Sequence, residues 1–218
     1  MDPQKQYDHW AENTYYIEQD HFNGFDVITP NEKYFLEEYA GETLLDVGCG
    51  TGHRLFPYLV KEQIDFLGVE KAIHLVGNSI FDSDIIPLDL GQDDFLAGLN
   101  AALKKRNRKF YFDLILLVGG VINALIDEEY RGKAWKNIGL LAPHTGFLLL
   151  DTISSFPGFK NDPEGRIDHL YDFLPPQYFY SEPELLGLFE ESGLKLVETK
   201  TEKLGPSIMR KHYLVRGK

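Results

Sequence analysis

The segment Leu44-Leu45-Asp46-Val47-Gly48-Cys49-Gly50-Thr51-Gly52-His53 constrains the fold of this chain more than any other. An apolar strand ends in an acidic residue and runs into three glycines at alternate positions, ahead of a helical pattern. Glycines placed there let the backbone turn tightly and let a ligand approach the main chain. The spacing narrows the ligand. A dinucleotide loop reads Gly-x-Gly-x-x-Gly and offers a helix N-terminus to a pyrophosphate. Here Gly52 comes one residue early, and Asp46 stands two residues before Gly48, where its charge would repel a phosphate. The pattern suits a cofactor that carries an ammonium group and no phosphate.

The seven residues Asp46-Val47-Gly48-Cys49-Gly50-Thr51-Gly52 resemble the first motif of the class I, Rossmann-like S-adenosylmethionine-dependent methyltransferases, in particular the small-molecule type. The resemblance implies S-adenosylmethionine as cofactor. It also implies a seven-stranded sheet of order 3-2-1-4-5-7-6 with the last strand antiparallel.

The residues themselves support an α/β class. Short apolar runs alternate with helical segments, as in a parallel sheet covered on both faces. Strands are expected at Leu44 to Val47, Asp65 to Glu70, Ile85 to Asp89, Tyr111 to Val118 and Phe147 to Asp151. The fourth is a continuous apolar run, as a central buried strand requires. Helices are expected from about Thr51 to Glu62, with Pro57 bending the entry, and from about Asp127 to Leu141. Ser181-Glu182-Pro183-Glu184 opens a third helix with a capping serine, and Ser192-Gly193 closes it. Leu194 to Thr199 and His212 to Val215 would then pair as a hairpin.

At 218 residues the chain is long enough for one domain with a substantial core. The core is assigned to residues 41–218. Two aromatic-rich segments, residues 1–40 and an insertion at about 152–180, are read as covers over the open end of the sheet. Most of their aromatics would simply pack there, and a few would line a pocket at the carboxyl ends of the strands, where open α/β sheets bind ligands.

A net charge of −12 argues against a nucleic acid as the main partner, because polyanion binders need a basic face. The basic run Lys104-Lys105-Arg106-Asn107-Arg108-Lys109 is read as a solvated loop that helps a helix end. The single cysteine, Cys49, excludes an intramolecular disulfide and a cysteine-rich zinc site. It is read as a small loop residue, not a nucleophile. No apolar stretch approaches the roughly eighteen residues of a membrane span, and no signal segment opens the chain, so a cytoplasmic protein is expected. No heptad or apolar stripe indicates an oligomeric state.

Glu70 ends the second strand twenty positions after Gly50, where a carboxylate can accept both ribose hydroxyls of an adenosine. The resemblance implies the same role. It also implies a backbone contact from Lys71, a carboxylate at Asp89 for the adenine amine, the Leu90 amide on the ring, and Val118 and Gly119 against the methionine and ribose portion. Tyr7 and Trp10, in Tyr7-Asp8-His9-Trp10-Ala11, resemble the aromatic closure over the methionine end; an amphipathic helix packing on the domain fits them equally. The chain departs from the family at Gly120-Val121-Ile122-Asn123, where asparagine stands in place of a frequent histidine and puts a base there in doubt.

Methyl transfer is an in-line displacement on an activated sulfonium, so alignment, a desolvated site and, for some acceptors, a base suffice. No ligand spacing points to a metal. Candidate bases are His9, His21 and His169, with Tyr180 as a further catalytic candidate and Tyr15 and Tyr16 as aids to orientation. A small flat or cationic acceptor suits the aromatic covers and the acidic charge. The alternatives are an RNA (tRNA) methyltransferase and a protein that binds S-adenosylmethionine without turnover.

Overall fold

The computed structural model describes residues 28–77, 79–155, 166–168, 176–204 and 208–218. In chain order the elements are α1 (Pro30–Tyr39), β1 (Thr43–Val47), α2 (Phe56–Lys61), β2 (Asp65–Glu70), α3 (Ile73–Gly77), β3 (Ile85–Pro87), α4 (Phe95–Lys105), β4 (Phe112–Leu117), α5 (Glu128–Leu141), β5 (Thr145–Ser155), β6 (Arg166–Asp168), β7 (Gln177–Phe179), α6 (Glu182–Glu191), β8 (Leu194–Leu204) and β9 (Ile208–Gly217). Seven strands form one sheet in the order β3-β2-β1-β4-β5-β9-β8. The strands β3, β2, β1, β4 and β5 run parallel, and β9 is antiparallel to both β5 and β8. Counted along the sheet's own strands, this is the order 3-2-1-4-5-7-6, with the last strand antiparallel. β6 and β7 form a separate two-stranded ribbon between β5 and α6, and β5 itself runs on to Ser155, past its expected end at Asp151, because it stays paired with β9.

Each face of the sheet has its own core. Phe35, Leu36, Phe56 and Leu59 of α1 and α2 pack on Leu44, Leu114, Leu116, Leu149 and Leu214. On the other face, Phe95, Leu99, Trp135, Ile138, Leu185 and Phe189 of α4, α5 and α6 pack on Leu45, Ile115, Leu117 and Leu148. Residues alternate between these cores along β4, which is why its apolar run is continuous: both faces are covered, as in parallel sheets generally.

Local chemistry sets the helix ends. α6 has a full capping box, with the Ser181 hydroxyl accepting from Glu184 N and the Glu184 carboxylate accepting from Ser181 N. It ends before Gly193, whose φ is +70°. The second helix differs from expectation. It starts at Phe56, not near Thr51, because the backbone keeps positive φ at Gly48, Gly50 and Gly52 and Pro57 then opens the first helical turn. Pro57 therefore starts the helix and does not bend it. The terminal hairpin is also longer than expected, since β8 and β9 stay paired out to Leu204 and Ile208.

In the basic run, Arg108 donates from Nη1 to the Phe66 carbonyl (3.0 Å) and ion-pairs with Asp65 (2.6 Å), tying the α4 end to the start of β2. Among the described residues no helix is long and apolar enough to cross a membrane.

Candidate functional site

The carboxyl ends of β1, β2 and β4 surround a cavity lined by Val47, Gly48, Val69, Glu70, Lys71, Leu88, Leu90, Gly119, Val121, Ala124, Leu125 and Tyr130. The strand order reverses between β1 and β4, the place where open α/β sheets leave a ligand crevice. Five residues singled out from the sequence, Gly48, Glu70, Lys71, Leu90 and Gly119, stand in this wall.

Gly48 is held at φ +77°, and a Cβ there would come within 2.6 Å of Val121 Cγ2. The glycine loop and the loop after β4 therefore touch across the cavity floor, which only glycine allows. Gly50 donates its N–H to Glu70 Oε2 (3.0 Å), and Ala72 N–H donates to Glu70 Oε1 (2.8 Å). Each carboxylate oxygen thus has a backbone partner, and the Lys71 N–H adds a third to the carboxylate. Burial raises the Glu70 pKa, while these N–H groups and Lys71 pull it down.

Asp46 lies behind the glycine loop, 3 % exposed and outside the cavity wall. No donor among the described residues bonds its carboxylate. Burial pushes its pKa up to about 7; the Arg54 charge lowers it, and the Glu32 and Glu70 charges raise it further. Cys49 turns away from the cavity. Its Sγ occupies the space where Gly68 would carry a Cβ, and burial and the Asp46 and Glu70 charges push its thiol pKa well up. It is a packing residue, as its small size suggested.

Asp89 accepts on one oxygen from Gly91 N–H (2.9 Å) and from the Tyr130 hydroxyl. Tyr130 covers Gly91, whose Cβ would collide with the ring, and lies beneath Lys71 Nζ, 5.0 Å from the ring centroid. Tyr130 was not singled out in the sequence; it is brought in by the first turn of α5, which Asp127 caps by accepting from Tyr130 N (2.8 Å). Val118 is buried beneath this site in the α1-side core.

Asn123 takes no position for acid–base chemistry. It is fully buried, donating to Thr152 Oγ1 (3.1 Å) and the Tyr178 carbonyl (2.8 Å) and accepting from Ile153 N (3.4 Å). It ties the loop after β4 to β5 and β7. Tyr180, a catalytic candidate, is 3 % exposed and outside the cavity wall, and its hydroxyl accepts from Trp135 Nε1 (3.1 Å). Burial drives its pKa well above that of a free phenol, so it is a core residue in this arrangement. Tyr7, His9, Tyr15, Tyr16, Trp10, His21 and His169 lie outside the described residues.

A buried charge network beside the site has no counterpart in the sequence reading. Asp151, at 0 % exposure, accepts from Gly119 N (2.9 Å) and Gly120 N (3.0 Å) and pairs with Arg210 Nε (3.3 Å). Burial opposes its charge, but Arg210, His212 and the two N–H groups together hold its pKa below the usual carboxylate value. His212 is fully buried and its pKa is lowered by burial, so its 3.6 Å approach to Glu202 is not an ion pair while the imidazole is neutral. Glu32, Asp151 and His212 each bring a ligand-type atom within 4.8 Å of the others. Arg210 already reaches both carboxylates, so guanidinium balances their charge there. The signals available in sequence were faint: Asp151 as a carboxylate closing an apolar strand, and Thr29-Pro30-Asn31-Glu32 as a capping box.

No family model and no curated protein sequence matches this chain. Solved structures do match it. The chain is similar to a 1,6-didemethyltoxoflavin-N1-methyltransferase from Burkholderia thailandensis (14% identity, covering 100% of this chain and 92% of that one, TM-score 0.63). It is similar to an S-adenosylmethionine-dependent methyltransferase from Leishmania major (14% identity, 98% and 83%, TM-score 0.70). It also matches the CcbJ methyltransferase from Streptomyces caelestis (14% identity, 100% and 99%, TM-score 0.61). The chain has the Rossmann-like fold of the class I S-adenosylmethionine-dependent methyltransferases.

Proposed function

We propose that the protein transfers a methyl group from S-adenosylmethionine to an oxygen or nitrogen of a small-molecule acceptor, without a metal. One observation carries the reading: the glycine loop, the Glu70 carboxylate and the apolar pair Leu88 and Leu90 converge on a single cavity at the switch point of this fold. Fold alone would not suffice, since one fold hosts many activities. The residues fit the cofactor. Glu70, which lines the cavity, would take the two ribose hydroxyls, and Val69, Leu88, Leu90 and Leu125 offer an apolar slot for adenine. Asp89, pinned by Gly91 and Tyr130, would accept the adenine amine, with Leu90 N–H on the ring and the Lys71 backbone beside it. The methionine end would then lie toward Gly48, Gly119 and Val121, where the buried Asp46 charge, without a donor among the described residues, favours an ammonium. Cys49, Gly50, Gly52 and Val118 stand outside the cavity wall and would support this floor from behind. Tyr7 and Trp10 would close over it from the 1–40 cover, with residues 41–218 as the core.

When bound, the cofactor supplies an electrophilic methyl whose bond electrons return to sulfur. The protein's part is to align that carbon with the acceptor, exclude water and let the acceptor proton depart. Asn123 and Tyr180 are engaged in packing, so His9, His21 and His169 remain the candidates for a base, if the acceptor needs one. The small-molecule class is supported by the net charge of −12, and by a structural neighbour that acts on 1,6-didemethyltoxoflavin.

Calorimetry with S-adenosylhomocysteine tests the cofactor, with binding expected and Glu70→Ala weakening it at least about tenfold, the loss of charge-assisted bonds to two hydroxyls. Undiminished binding by that variant would overturn the site. Incubation with methyl-labelled S-adenosylmethionine and fractionated cell extract tests the acceptor. Label in a small-molecule fraction is expected; label only in RNA, or binding with no transfer, would refute the acceptor class or the activity.

A further inference from the structure

Glu32 is the third residue of α1, and its carboxylate does three things at once. Oε2 accepts from Thr29 N (2.8 Å), closing the capping box of α1, and from Arg54 Nη1 (2.7 Å); Oε1 faces Arg210 Nη1 at 3.5 Å. The side chain is 3 % exposed and that of Arg210 2 %. A cap needs no such burial, and burying ion pairs of this kind seldom adds net stability over apolar packing. The two arginines lead to the two loops that floor the cavity. Arg54 sits two residues past Gly52, and its Nη2 comes within 3.9 Å of the place a Cβ would occupy on Gly119. Arg210 pairs with Asp151, whose two oxygens hold Gly119 N–H and Gly120 N–H. Those glycines have φ of +83° and +84°, and their N–H groups are held by that carboxylate. Glu32 therefore joins the glycine loop and the post-β4 turn through two independent guanidinium links.

We propose that Glu32 is a positioning residue for the aminocarboxyl end of the cofactor, setting the distance between the Gly48 loop and the Gly119–Gly120 turn through Arg54 and through Arg210 and Asp151. This rests on the cofactor reading above, which puts the ribose on Glu70 and the aminocarboxyl end between these two loops. The adenosine end is held by Glu70, Leu88, Leu90 and Tyr130, none of which contacts Glu32. Loss of Glu32 should thus loosen one end of the ligand and leave the other in place, since a site that drifts by about half an ångström loses much of its affinity.

The test compares two ligands on the full chain by calorimetry. S-adenosylhomocysteine carries the aminocarboxyl tail; 5′-methylthioadenosine has the same adenosine and sulfur without it. In Glu32→Gln, which keeps an acceptor for Thr29 N–H but loses the charge, the Kd for S-adenosylhomocysteine is expected to rise about tenfold, while that for methylthioadenosine stays within about twofold. Equal weakening of both ligands, or of neither, overturns the proposal. Arg54→Lys, which keeps the charge but loses the guanidinium fork, is read in the same way, with thermal melting to establish that each variant folds. If neither variant folds, the network is a stability element and the proposal falls. A wild-type protein that binds methylthioadenosine and S-adenosylhomocysteine equally refutes it while sparing the adenosine site, and one that binds neither refutes the cofactor reading with it.

Discussion

Asp46→Asn should stabilise the unliganded protein at neutral and alkaline pH while impairing cofactor binding, and the size of the effect follows from the burial of the carboxyl. In the fold Asp46 has no donor among the described residues, and burial raises its pKa from 3.8 to about 7. Between those values the native state holds a proton that the unfolded chain has released. Stability therefore falls as pH rises through this window and is flat above about pH 7. A shift of roughly three units corresponds to about 4 kcal/mol in all, and to about 3 kcal/mol over the part above about pH 5. Asparagine does not titrate, but its undonated amide costs about 1–3 kcal/mol at every pH. At about pH 8 the variant should be more stable by on the order of 1–3 kcal/mol, which for a chain of this size is a rise in Tm of about 5 °C. Near pH 5 the advantage should vanish or reverse. Urea unfolding of both proteins at the two pH values measures the difference directly, cancelling the other titrating groups. Calorimetry should show the variant binding S-adenosylhomocysteine at least about tenfold more weakly. If the stability difference changes by less than about 1 kcal/mol between the two pH values, burial does not hold the Asp46 carboxyl in its protonated form and the argument fails.

Asn123→Ala removes a carboxamide whose donors and acceptor are all used, leaving the Tyr178 carbonyl and Ile153 N–H buried without it; a loss of about 2–4 kcal/mol is expected in urea unfolding, and less than about 0.5 kcal/mol would show that the loop is not tied there. Gly48→Ala places a Cβ 2.6 Å from Val121 Cγ2 at a φ of +77°, and should weaken S-adenosylhomocysteine binding by more than about tenfold. Adding Val121→Ala should recover part of that loss, since it removes the clash and leaves the left-handed backbone cost of about 1–2 kcal/mol; no recovery would mean the clash is not what matters.

Much of the scaffold was legible because it is written in local patterns. The β4 run is continuous because both its faces are covered, the Ser181 capping box is a four-residue signal, and the glycine loop declares its own turn. The start of α2 was misplaced because a glycine run followed by Pro57 looks helical in its apolar spacing, while the positive φ values that delay the helix leave no mark in composition. The sequence puts a base at Asn123 in doubt, but its role as a structural tie comes only from three bonds spanning 29 to 55 residues of sequence. Tyr130 reaches Asp89 across 41 residues, a contact that only the packing of α5 against the β3 end creates.

The sequence by itself determined the fold class, the glycine loop and the acidic residues at the ends of β1 and β2, because each depends on backbone geometry and on periodicities that act over a few residues. Tertiary structure alone decided that Asp46 lies behind the loop and out of the cavity wall, and that Glu32 meets Arg210 across 178 residues to link both loops of the site. The reason is physical: a buried charge must find its counterion within a few ångströms, and which residues come that close is settled by how the strands are ordered in the sheet, not by their neighbours along the chain.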